Sequence, residues 1–336
     1  MSAADTTGTG KLAIVTGASG FVGSHIVDDL LASGARVRCL LRPSSPTRWL
    51  DGKPVEIVRL GFDRIEPISK ALEGASWIVH AAGLTLARSE REFHEANVSV
   101  TERVLRAATS NGGGIERFVL ISSQAAAGPA DTSGRPVTEG ERPDPVSKYG
   151  VSKLRAEELT LLLRDRLPVV VIRPPAVYGP RDSAIYRVFA AVKRHLMPVL
   201  RSRGRFTIVY VEDVARAVRL ALTHPRAPGQ IYFVGEPDVT DYAELGEAVR
   251  SAVGTWAVTV SPPGILLRAG ALASEAVAMM TGRPALLSLE KLREITAGDW
   301  VCSSAKIRSQ LGWDPEVALD EGVRRTAAWY REAGWL

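Results

Sequence analysis

A glycine-rich turn near the start of the chain places the strongest constraint on its fold. The apolar run 12–15 passes directly into Thr16-Gly17-Ala18-Ser19-Gly20-Phe21-Val22-Gly23, and a helical pattern follows. Glycines spaced G-x-x-G-x-x-G allow a tight turn, a close backbone approach to phosphate and close packing of helix on strand, in that order. The free N–H groups and the dipole of the helix start attract anions. We therefore predict that a dinucleotide pyrophosphate binds at Gly17, Ser19, Gly20, Phe21, Val22 and Gly23.

Short apolar runs alternate with helical patterns through the first half of the chain. The runs are residues 12–15, 37–41, 55–58, 77–80, 118–121 and 169–172. Runs without strict alternation of apolar and polar residues are typical of strands covered on both faces, as in a parallel sheet. The pattern predicts an α/β fold with a Rossmann-type, doubly wound parallel sheet.

The second half has a different rhythm, which begins at a cluster of prolines and glycines after Arg173. Short strands are predicted at 207–211, 230–234 and 256–260, a helix is predicted at 214–222, and helices dominate after residue 237. We expect the stretch around 206–235 to return to the main sheet. The predicted division is a dinucleotide-binding Rossmann domain and a smaller, mainly helical substrate-binding part. The first comprises residues 10–175 and 206–235, and the second comprises 176–205 and 236–336.

Composition excludes several classes of function. The 42 basic and 37 acidic residues leave a net charge of only +5, and the basic stretch from Arg194 to Arg205 is broken by apolar residues, so we expect no nucleic-acid partner. Two cysteines cannot form a disulfide framework. The five histidines lack metal-ligand spacing, so we expect no metal. The first ten residues lack the apolar core of a secretion signal, and no apolar run reaches the roughly 20 residues that span a bilayer. We expect a cytoplasmic protein with no membrane span.

The end of the second predicted strand indicates which nicotinamide cofactor binds. An acidic residue there would bond the ribose hydroxyls of NAD, but Leu41 is followed by Arg42. A guanidinium binds a 2′-phosphate through a forked pair of hydrogen bonds, so we predict NADP, with NAD as the alternative. Arg38 and Arg48 could assist from less suitable positions. Asp63 either hydrogen-bonds the adenine or caps a helix that begins at Ile65.

The fifth strand and a later helix carry a candidate catalytic set. The strand ends in Ser122-Ser123, and Tyr149-Gly150-Val151-Ser152-Lys153 opens a helix. Positions i and i+4 share a helix face, so Tyr149 and Lys153 should point at one spot. We expect the Lys153 ammonium to lower the pKa of the Tyr149 phenol, which would then serve as a general acid/base, and Ser123 to hydrogen-bond the substrate oxygen. Hydride would pass to or from the nicotinamide.

Several motifs in order resemble the extended short-chain dehydrogenase/reductase family over essentially the whole chain. Besides the glycine turn, Ser122-Ser123 and the Tyr149–Lys153 motif, the matching segments are Val79-His80-Ala81-Ala82-Gly83, Asn97-Val98, Arg173-Pro174-Pro175-Ala176-Val177-Tyr178-Gly179-Pro180 and Tyr210-Val211-Glu212-Asp213-Val214-Ala215. This resemblance implies a catalytic triad of Ser123, Tyr149 and Lys153, with Ser122 as the less suitable neighbour. It also implies a homodimer.

The same resemblance assigns further residues around the cofactor. It implies cofactor contacts at Ala81, Ala82, Gly83 and Pro174, in addition to Tyr149 and to Lys153, which would hold the ribose. Asn97 either supports the active site or bridges parts of the structure. We interpret His80 as a packed residue beneath the cofactor.

Differences between this chain and the motifs of the family's branches narrow the reactions that we expect it to catalyse. Dehydratases carry an Asp-Glu pair after the catalytic serine or threonine, where this chain has Gln124-Ala125, and sugar-nucleotide members usually carry asparagine at the place of Ala176. They also commonly have an arginine at the place of Phe206, and here Arg205 comes one residue earlier. The segments 127–129, 134–136 and 206–211 resemble the 3β-hydroxysteroid dehydrogenase branch, and Arg173-Pro174-Pro175 resembles dihydroflavonol-type reductases.

The resulting hypothesis is an NADP-dependent oxidoreductase that interconverts a secondary alcohol and a ketone on a largely apolar small molecule. The alternative is an NAD(P)-dependent sugar-nucleotide 4-epimerase. A non-catalytic NADP-sensing module is a remote third hypothesis, because a sensor does not need a proton-transfer group. The apolar helical pattern 265–280 fits either a substrate pocket or lid, or plain core packing. Interfacial membrane contact is less favoured, because its polar face lacks a row of Lys or Arg.

Overall fold

The chain forms thirteen strands and twelve α-helices within the residues that the computed structural model describes, which are 6–110, 114–131, 133–198, 204–281, 284–285 and 287–336. The strands are β1 (Leu12–Thr16), β2 (Arg36–Leu41), β3 (Val55–Arg59), β4 (Trp77–His80), β5 (Arg117–Ile121), β6 (Val169–Arg173), β7 (Ala176–Tyr178), β8 (Leu196–Pro198), β9 (Arg205–Phe206), β10 (Ile208–Tyr210), β11 (Ile231–Phe233), β12 (Thr240–Asp241) and β13 (Val258–Val260). The helices are α1 (Phe21–Ala32), α2 (Ile65–Ala71), α3 (Glu90–Phe93), α4 (Val100–Ser110), α5 (Lys148–Leu161), α6 (Tyr186–Lys193), α7 (Val211–Thr223), α8 (Tyr242–Val253), α9 (Gly264–Thr281), α10 (Leu289–Thr296), α11 (Ala305–Leu311) and α12 (Leu319–Glu332).

Seven of these strands form one parallel sheet in the order β11-β6-β5-β4-β1-β2-β3. The six strands predicted from the apolar runs are confirmed, each within one residue at either end. The chain reverses its direction of travel across the sheet between β1 and β4. In a doubly wound sheet, ligands bind in the crevice at the carboxyl ends of the strands beside such a switch point. The fold therefore places the site where the glycine turn follows β1.

Alternate residues of the strands bury their side chains in two helical layers. Ala13 and Val15 pack in a core with α1 and α7, whereas Leu12 and Ile14 pack in a core with α2, α4 and α5. The sheet is thus covered on both faces, as the apolar runs predict. β3 is the exception, because it is the edge strand and most of its side chains remain partly or fully exposed.

The region after β6 differs from the prediction in one respect. β11 joins the main sheet beside β6, but β10 pairs in parallel with β7 in a separate two-stranded sheet. The expectation that the whole stretch 206–235 returns to the main sheet is therefore wrong for β10. The reason is packing, because Tyr178 of β7 and Tyr210 of β10 meet edge to face (5.5 Å between ring centroids) inside a C-terminal core. The division into two domains stays a prediction.

Helix α9 is largely uncovered. Of its 18 residues only Ala271 is buried, so plain core packing is wrong as an explanation of the 265–280 pattern. Among the described residues, α9 is the one helix whose length and composition would allow it to cross a membrane. Most of its apolar side chains therefore face away from the core of the chain.

Candidate functional site

The glycine turn is built as its spacing predicts. Gly17 has a φ of +70°, and a Cβ atom there would lie 2.6 Å from the backbone of Ala81 and Ala82. A Cβ atom on Gly23 would lie 2.1 Å from the Gly17 carbonyl oxygen. Both distances are shorter than real Cβ contacts, so only glycine fits. The predicted tight turn at Gly17 and close helix packing at Gly23 are therefore confirmed.

The start of α1 is open to an anion. Gly20 is the N-cap residue and is exposed, and no side chain of the described residues caps this helix. Ser19, Phe21 and Val22 are half-buried around the same turn. Uncapped N–H groups at the positive end of a helix dipole are the donors that bind phosphate in dinucleotide-binding folds. These residues therefore fit the pyrophosphate of a nicotinamide dinucleotide.

The loop after β4 forms the opposite wall of the crevice. The N–H groups of Ala81 and Ala82 donate to the carbonyl oxygen and the Oγ1 atom of Thr16, each at 3.2 Å. Gly83 is exposed, and a Cβ atom on it would lie 3.9 Å from the Nζ atom of Lys153. The structure thus brings the predicted loop residues between the glycine turn and α5, the predicted catalytic helix.

The end of β2 presents Arg42 to solvent. Its turn is held by Arg59, a residue that the sequence did not single out. The Arg59 guanidinium donates to the carbonyl oxygens of Arg42 (3.3 Å), Pro43 (2.8 Å) and Ser45 (3.0 Å). The two cations considered as helpers are engaged elsewhere. Arg38 pairs with Glu56 (2.7 Å), and Arg48 stacks over the Trp49 ring (4.3 Å).

Asp63 is exposed in the loop after β3, but it does not cap α2. The N-cap residue of that helix is Arg64, and among the described residues no side chain caps it. The Asp63 carboxylate instead turns back toward Gly61, where a Cβ atom would lie 2.3 Å from Oδ1. The helix-cap interpretation is therefore wrong, and the adenine contact stays a prediction.

The residues predicted to be catalytic converge at the amino end of α5. Ser147 caps this helix by accepting a hydrogen bond from the Gly150 N–H (3.1 Å), which places Tyr149 in the first turn and Lys153 one turn later. Ser123 follows β5 and accepts a hydrogen bond from the Ala125 N–H (3.1 Å), and its side chain lies close enough to Tyr149 to act on the pKa of the phenol. The next residue, Gln124, donates its N–H to the carbonyl oxygen of buried Pro174 (2.8 Å). The loops after β5 and β6 are thereby joined beside Tyr149.

Lys153 is buried beneath the site. Its Nζ atom donates to the carbonyl oxygen of Ile121 at 2.6 Å, at the end of β5. Burial lowers the pKa of Lys153 to about 8, although the nearby Glu157 carboxylate acts in the opposite direction. Lys153 is therefore tied to the sheet edge.

The pKa of Tyr149 differs from expectation. Burial raises it to about 12, the hydrogen bond with Ser123 acts to lower it, and the charge of Glu294 acts to raise it. The expectation that the Lys153 ammonium makes the phenol more acidic is wrong for the chain alone, because desolvation of the phenolate dominates. The phenol is protonated at neutral pH, which suits a proton donor.

A buried ion pair lies under the catalytic helix. Arg173, at the end of β6, and Glu157, one turn beyond Lys153, are 2% and 1% exposed, and their side chains meet at 2.6 Å. Ser122 donates its hydroxyl to the same carboxylate. Ser122 is therefore engaged in structure, in agreement with the choice of Ser123. Glu157 was missed from the sequence, although its position four residues after Lys153 was a usable signal.

Asn97 connects the cofactor loop to the catalytic helix. It lies in a π-helical segment (His94–Ser99), accepts from the Leu84 N–H (2.7 Å) and donates to Ser152 Oγ (2.9 Å). Ser152 in turn donates to the Tyr149 carbonyl oxygen (2.7 Å). Of the two interpretations left open, Asn97 bridges structure next to the site.

His80 is a packed residue, as predicted. Its ring nitrogens are hydrogen-bond partners of Thr16 (2.7 Å) and Thr101 (3.0 Å), and it is fully buried. Burial lowers the pKa of His80 to about 3, which keeps the ring neutral under the glycine turn. Within the described ranges, no group of three or more His, Cys, Asp or Glu side chains could hold a metal ion.

Comparisons with known proteins cover nearly the whole chain. The model of a family described as the NAD dependent epimerase/dehydratase family matches residues 13–235. The ceramide reductase of Caulobacter vibrioides (strain NA1000 / CB15N) is 32% identical over 334 residues, which cover 96% of this chain and 95% of that protein. The 3 beta-hydroxysteroid dehydrogenase/Delta 5-->4-isomerase of Mycobacterium tuberculosis (strain CDC 1551 / Oshkosh) is 27% identical over 349 residues, which cover 97% of this chain and 91% of that protein. The solved structure of a UDP-glucose 4-epimerase of Thermus thermophilus, in complex with NAD, is 27% identical in sequence. It matches with a TM-score of 0.77 and covers 96% of this chain and 99% of that chain.

Proposed function

The chain belongs to the NAD dependent epimerase/dehydratase family, within the extended short-chain dehydrogenases/reductases, and on that premise we propose that it is an NADP-dependent oxidoreductase that interconverts a secondary alcohol and a ketone on a largely apolar small molecule. The observation that carries the proposal is the placement of Tyr149 in the first turn of α5, one turn before buried Lys153, whose Nζ atom is bonded to the end of the strand that leads to Ser123. We also propose a homodimer in the cytoplasm. The two buried thiols, Cys39 and Cys302, are compatible with a reducing compartment.

The site residues divide the work of a carbonyl reduction. When bound, the nicotinamide supplies or accepts the hydride. Tyr149, protonated at neutral pH, donates its phenolic proton to the substrate oxygen, and Ser123 orients that oxygen by a hydrogen bond. Lys153, whose Nζ atom is bonded to the end of β5, would hold the cofactor ribose. In the direction of alcohol oxidation, Tyr149 takes the proton back.

Two features support an apolar substrate. The relatives include proteins named for a ceramide and a steroid, both of which are largely apolar molecules. Arg205, which could have reached a substrate diphosphate, forms a fork with Asp299 (2.7 and 2.8 Å), and Phe206 packs against Tyr242. A guanidinium already paired with a carboxylate is a weak ligand for phosphate. This arrangement disfavours a nucleotide-linked sugar.

The second candidate is the sugar-nucleotide 4-epimerase, favoured by the likeness to the Thermus epimerase. The two functions are distinguished by incubating the purified protein with NADPH and a panel of apolar ketones, and separately with UDP- or dTDP-sugars without added cofactor. We expect oxidation of NADPH with ketones, followed at the absorbance of the reduced nicotinamide. Net epimerisation without added cofactor, detected by chromatography of the sugars, would contradict the reductase proposal.

Arg42 provides the test of cofactor preference. For Arg42→Ala we expect KM for NADPH to rise by about 10- to 100-fold, because a charge-assisted fork to the 2′-phosphate is lost. KM for NADH should stay within a factor of about 2, since NADH has no such phosphate. Arg106→Ala, on the exposed side of α4, is the matched control. Equal effects on both cofactors would contradict the assignment of Arg42.

A further inference from the structure

Among the described residues, helix α9 contacts the rest of the chain along one face only. Its buried or half-buried positions are Leu267, Ala271, Ser274, Glu275 and Ala278, which recur at the spacing of one helical face. Glu275 accepts a hydrogen bond from the Leu289 N–H (2.9 Å), at the start of α10. Both charged side chains of the helix, Glu275 and Arg268 seven residues before it, lie on this side.

The opposite face of α9 is apolar and exposed. It consists of a stripe of five residues, Leu266, Ala269, Ala273, Val277 and Met280. The three large members are 61%, 57% and 87% exposed, and none of the five is polar. A helix with apolar residues on its free face is normally covered by a protein core or by a membrane. The stripe is therefore a candidate docking surface for a partner outside the described residues.

The segment that leads into α9 exposes a second apolar surface. β13 pairs in parallel with β8, and Leu196 and Val258, which are register partners, are both exposed. Trp256 is 64% exposed and stacks on the His195 ring, 4.1 Å between centroids. Tryptophan combines an apolar ring with a polar N–H group and is enriched at the interface between a membrane and water.

Cations border these surfaces. Lys193 and Arg194 are exposed just before β8, and Arg268 and Arg293 are exposed beside the groove between α9 and α10. The carboxylates of α10 are engaged, Glu290 with Lys148 and Glu294 with Lys291. Exposed cations around an apolar face match the anionic headgroups of a bilayer. A two-fold contact with a second copy would pair this cation-bordered face with a copy of itself, and an excess of like charge on both sides of a contact disfavours it.

The groove between α9 and α10 approaches the catalytic helix. It has a volume of about 780 Å³, and leucines from both helices line it, among them Leu267, Leu272 and Leu292. On α10, Glu290 accepts a hydrogen bond from the Lys148 N–H (2.5 Å), and Lys148 immediately precedes Tyr149. α10 thus connects the groove beside α9 with the start of the catalytic helix.

We propose that α9 docks on the surface of an anionic lipid bilayer, with its apolar stripe among the acyl chains, and that the α9–α10 groove takes an apolar ketone from that bilayer toward Tyr149. The helix lies in the plane of the interface, because its other face stays bonded to α10. Three of these cations, Lys193, Arg194 and Arg293, come from neighbouring elements, which the sequence of α9 alone did not indicate. The second half of the proposal rests on the proposed function, whereas the docking does not.

The docking is tested by flotation of the purified full-length protein with phosphatidylcholine vesicles, with and without phosphatidylglycerol. We expect binding that increases with phosphatidylglycerol. The triple variant Leu266→Ser/Val277→Ser/Met280→Ser should bind about 100-fold more weakly, because the inserted side chains are lost. The control Ile57→Ser/Leu162→Ser removes exposed apolar side chains elsewhere and should bind like the wild type. Melting temperatures and NADPH binding establish that each variant is folded.

Two results would overturn the docking. One is failure of the wild-type protein to bind either kind of vesicle. The other is an oligomer that analytical ultracentrifugation without lipid detects for the wild type and for the control variant but not for the triple variant. In that case a second copy of the chain would cover the stripe.

Delivery from the bilayer is tested separately, by comparing the rate at which the protein reduces a vesicle-borne ketone with the rate at which it reduces a water-soluble ketone. The triple variant should lose at least about 10-fold in rate with the vesicle-borne ketone and keep its rate with the soluble one. Equal rates of variant and wild type with the vesicle-borne ketone would overturn delivery. A wild-type protein that reduces neither ketone would contradict the proposed function and, with it, delivery, while the flotation result would still decide docking.

Discussion

Replacing Tyr149 with phenylalanine is expected to lower kcat for ketone reduction by about 10²- to 10⁴-fold, the usual contribution of a positioned proton donor. The ring remains, so packing against Phe93, 6.0 Å between centroids, is retained. NADPH binding should change little, since the glycine turn and Lys153 are untouched. Single-turnover oxidation of NADPH and fluorescence titration of NADPH binding measure the two effects separately.

The matched control for Tyr149→Phe is Tyr232→Phe. Tyr232 is a buried tyrosine of β11 whose hydroxyl donates to Gln310 (2.9 Å), away from the site. Loss of that hydroxyl should leave kcat unchanged. Turnover by Tyr149→Phe at the wild-type rate would show that the phenol does not transfer the proton. That result would favour a protein that binds NADP for sensing.

Breaking the ion pair beneath the catalytic helix should have the largest effect on stability. For Glu157→Leu we expect the free energy of unfolding to fall by about 3–5 kcal/mol, because the buried Arg173 guanidinium is left without its counter-charge. The Ser122 hydroxyl loses its acceptor as well. Urea unfolding followed by circular dichroism measures the change.

The double variant Glu157→Leu/Arg173→Leu separates charge burial from packing. With both charges replaced by apolar side chains, no unpaired ion remains, and most of the lost stability should return. A double variant as unstable as Glu157→Leu would contradict this explanation and would instead indicate a packing defect. Arg155→Leu, on the exposed side of the same helix, should change the free energy of unfolding by less than about 0.5 kcal/mol.

Local patterns were sufficient where one kind of interaction decides the structure. Burial on both faces decides the strands of a parallel sheet, so the apolar runs predicted six of them. Steric exclusion decides the glycine turn, so the roles of Gly17 and Gly23 followed from spacing alone. The spacing of Tyr149 and Lys153 placed those two side chains on one face of a helix, whereas the family resemblance implied that Ser123 joins them.

Long-range contacts were not visible in the sequence. β10 pairs with β7 because two tyrosines meet in a C-terminal core, and no short pattern reports that meeting. The pKa of Tyr149 depends on how deeply the folded chain desolvates the phenol, which the spacing to Lys153 does not describe. Exposure of α9 was equally hidden, because an apolar helix has the same composition whether it lies in a core or at a bilayer.

The three hydrogen bonds from Arg59 to the Arg42–Ser45 turn have a consequence for cofactor recognition. Because Arg59 already holds this turn in one conformation, the chain loses the conformational entropy of the turn when it folds. That entropy is then not lost when the nucleotide binds. Affinity for the adenosine end then depends on a residue that need not touch it. A more mobile turn, with the same Arg42, would bind the proposed 2′-phosphate more weakly.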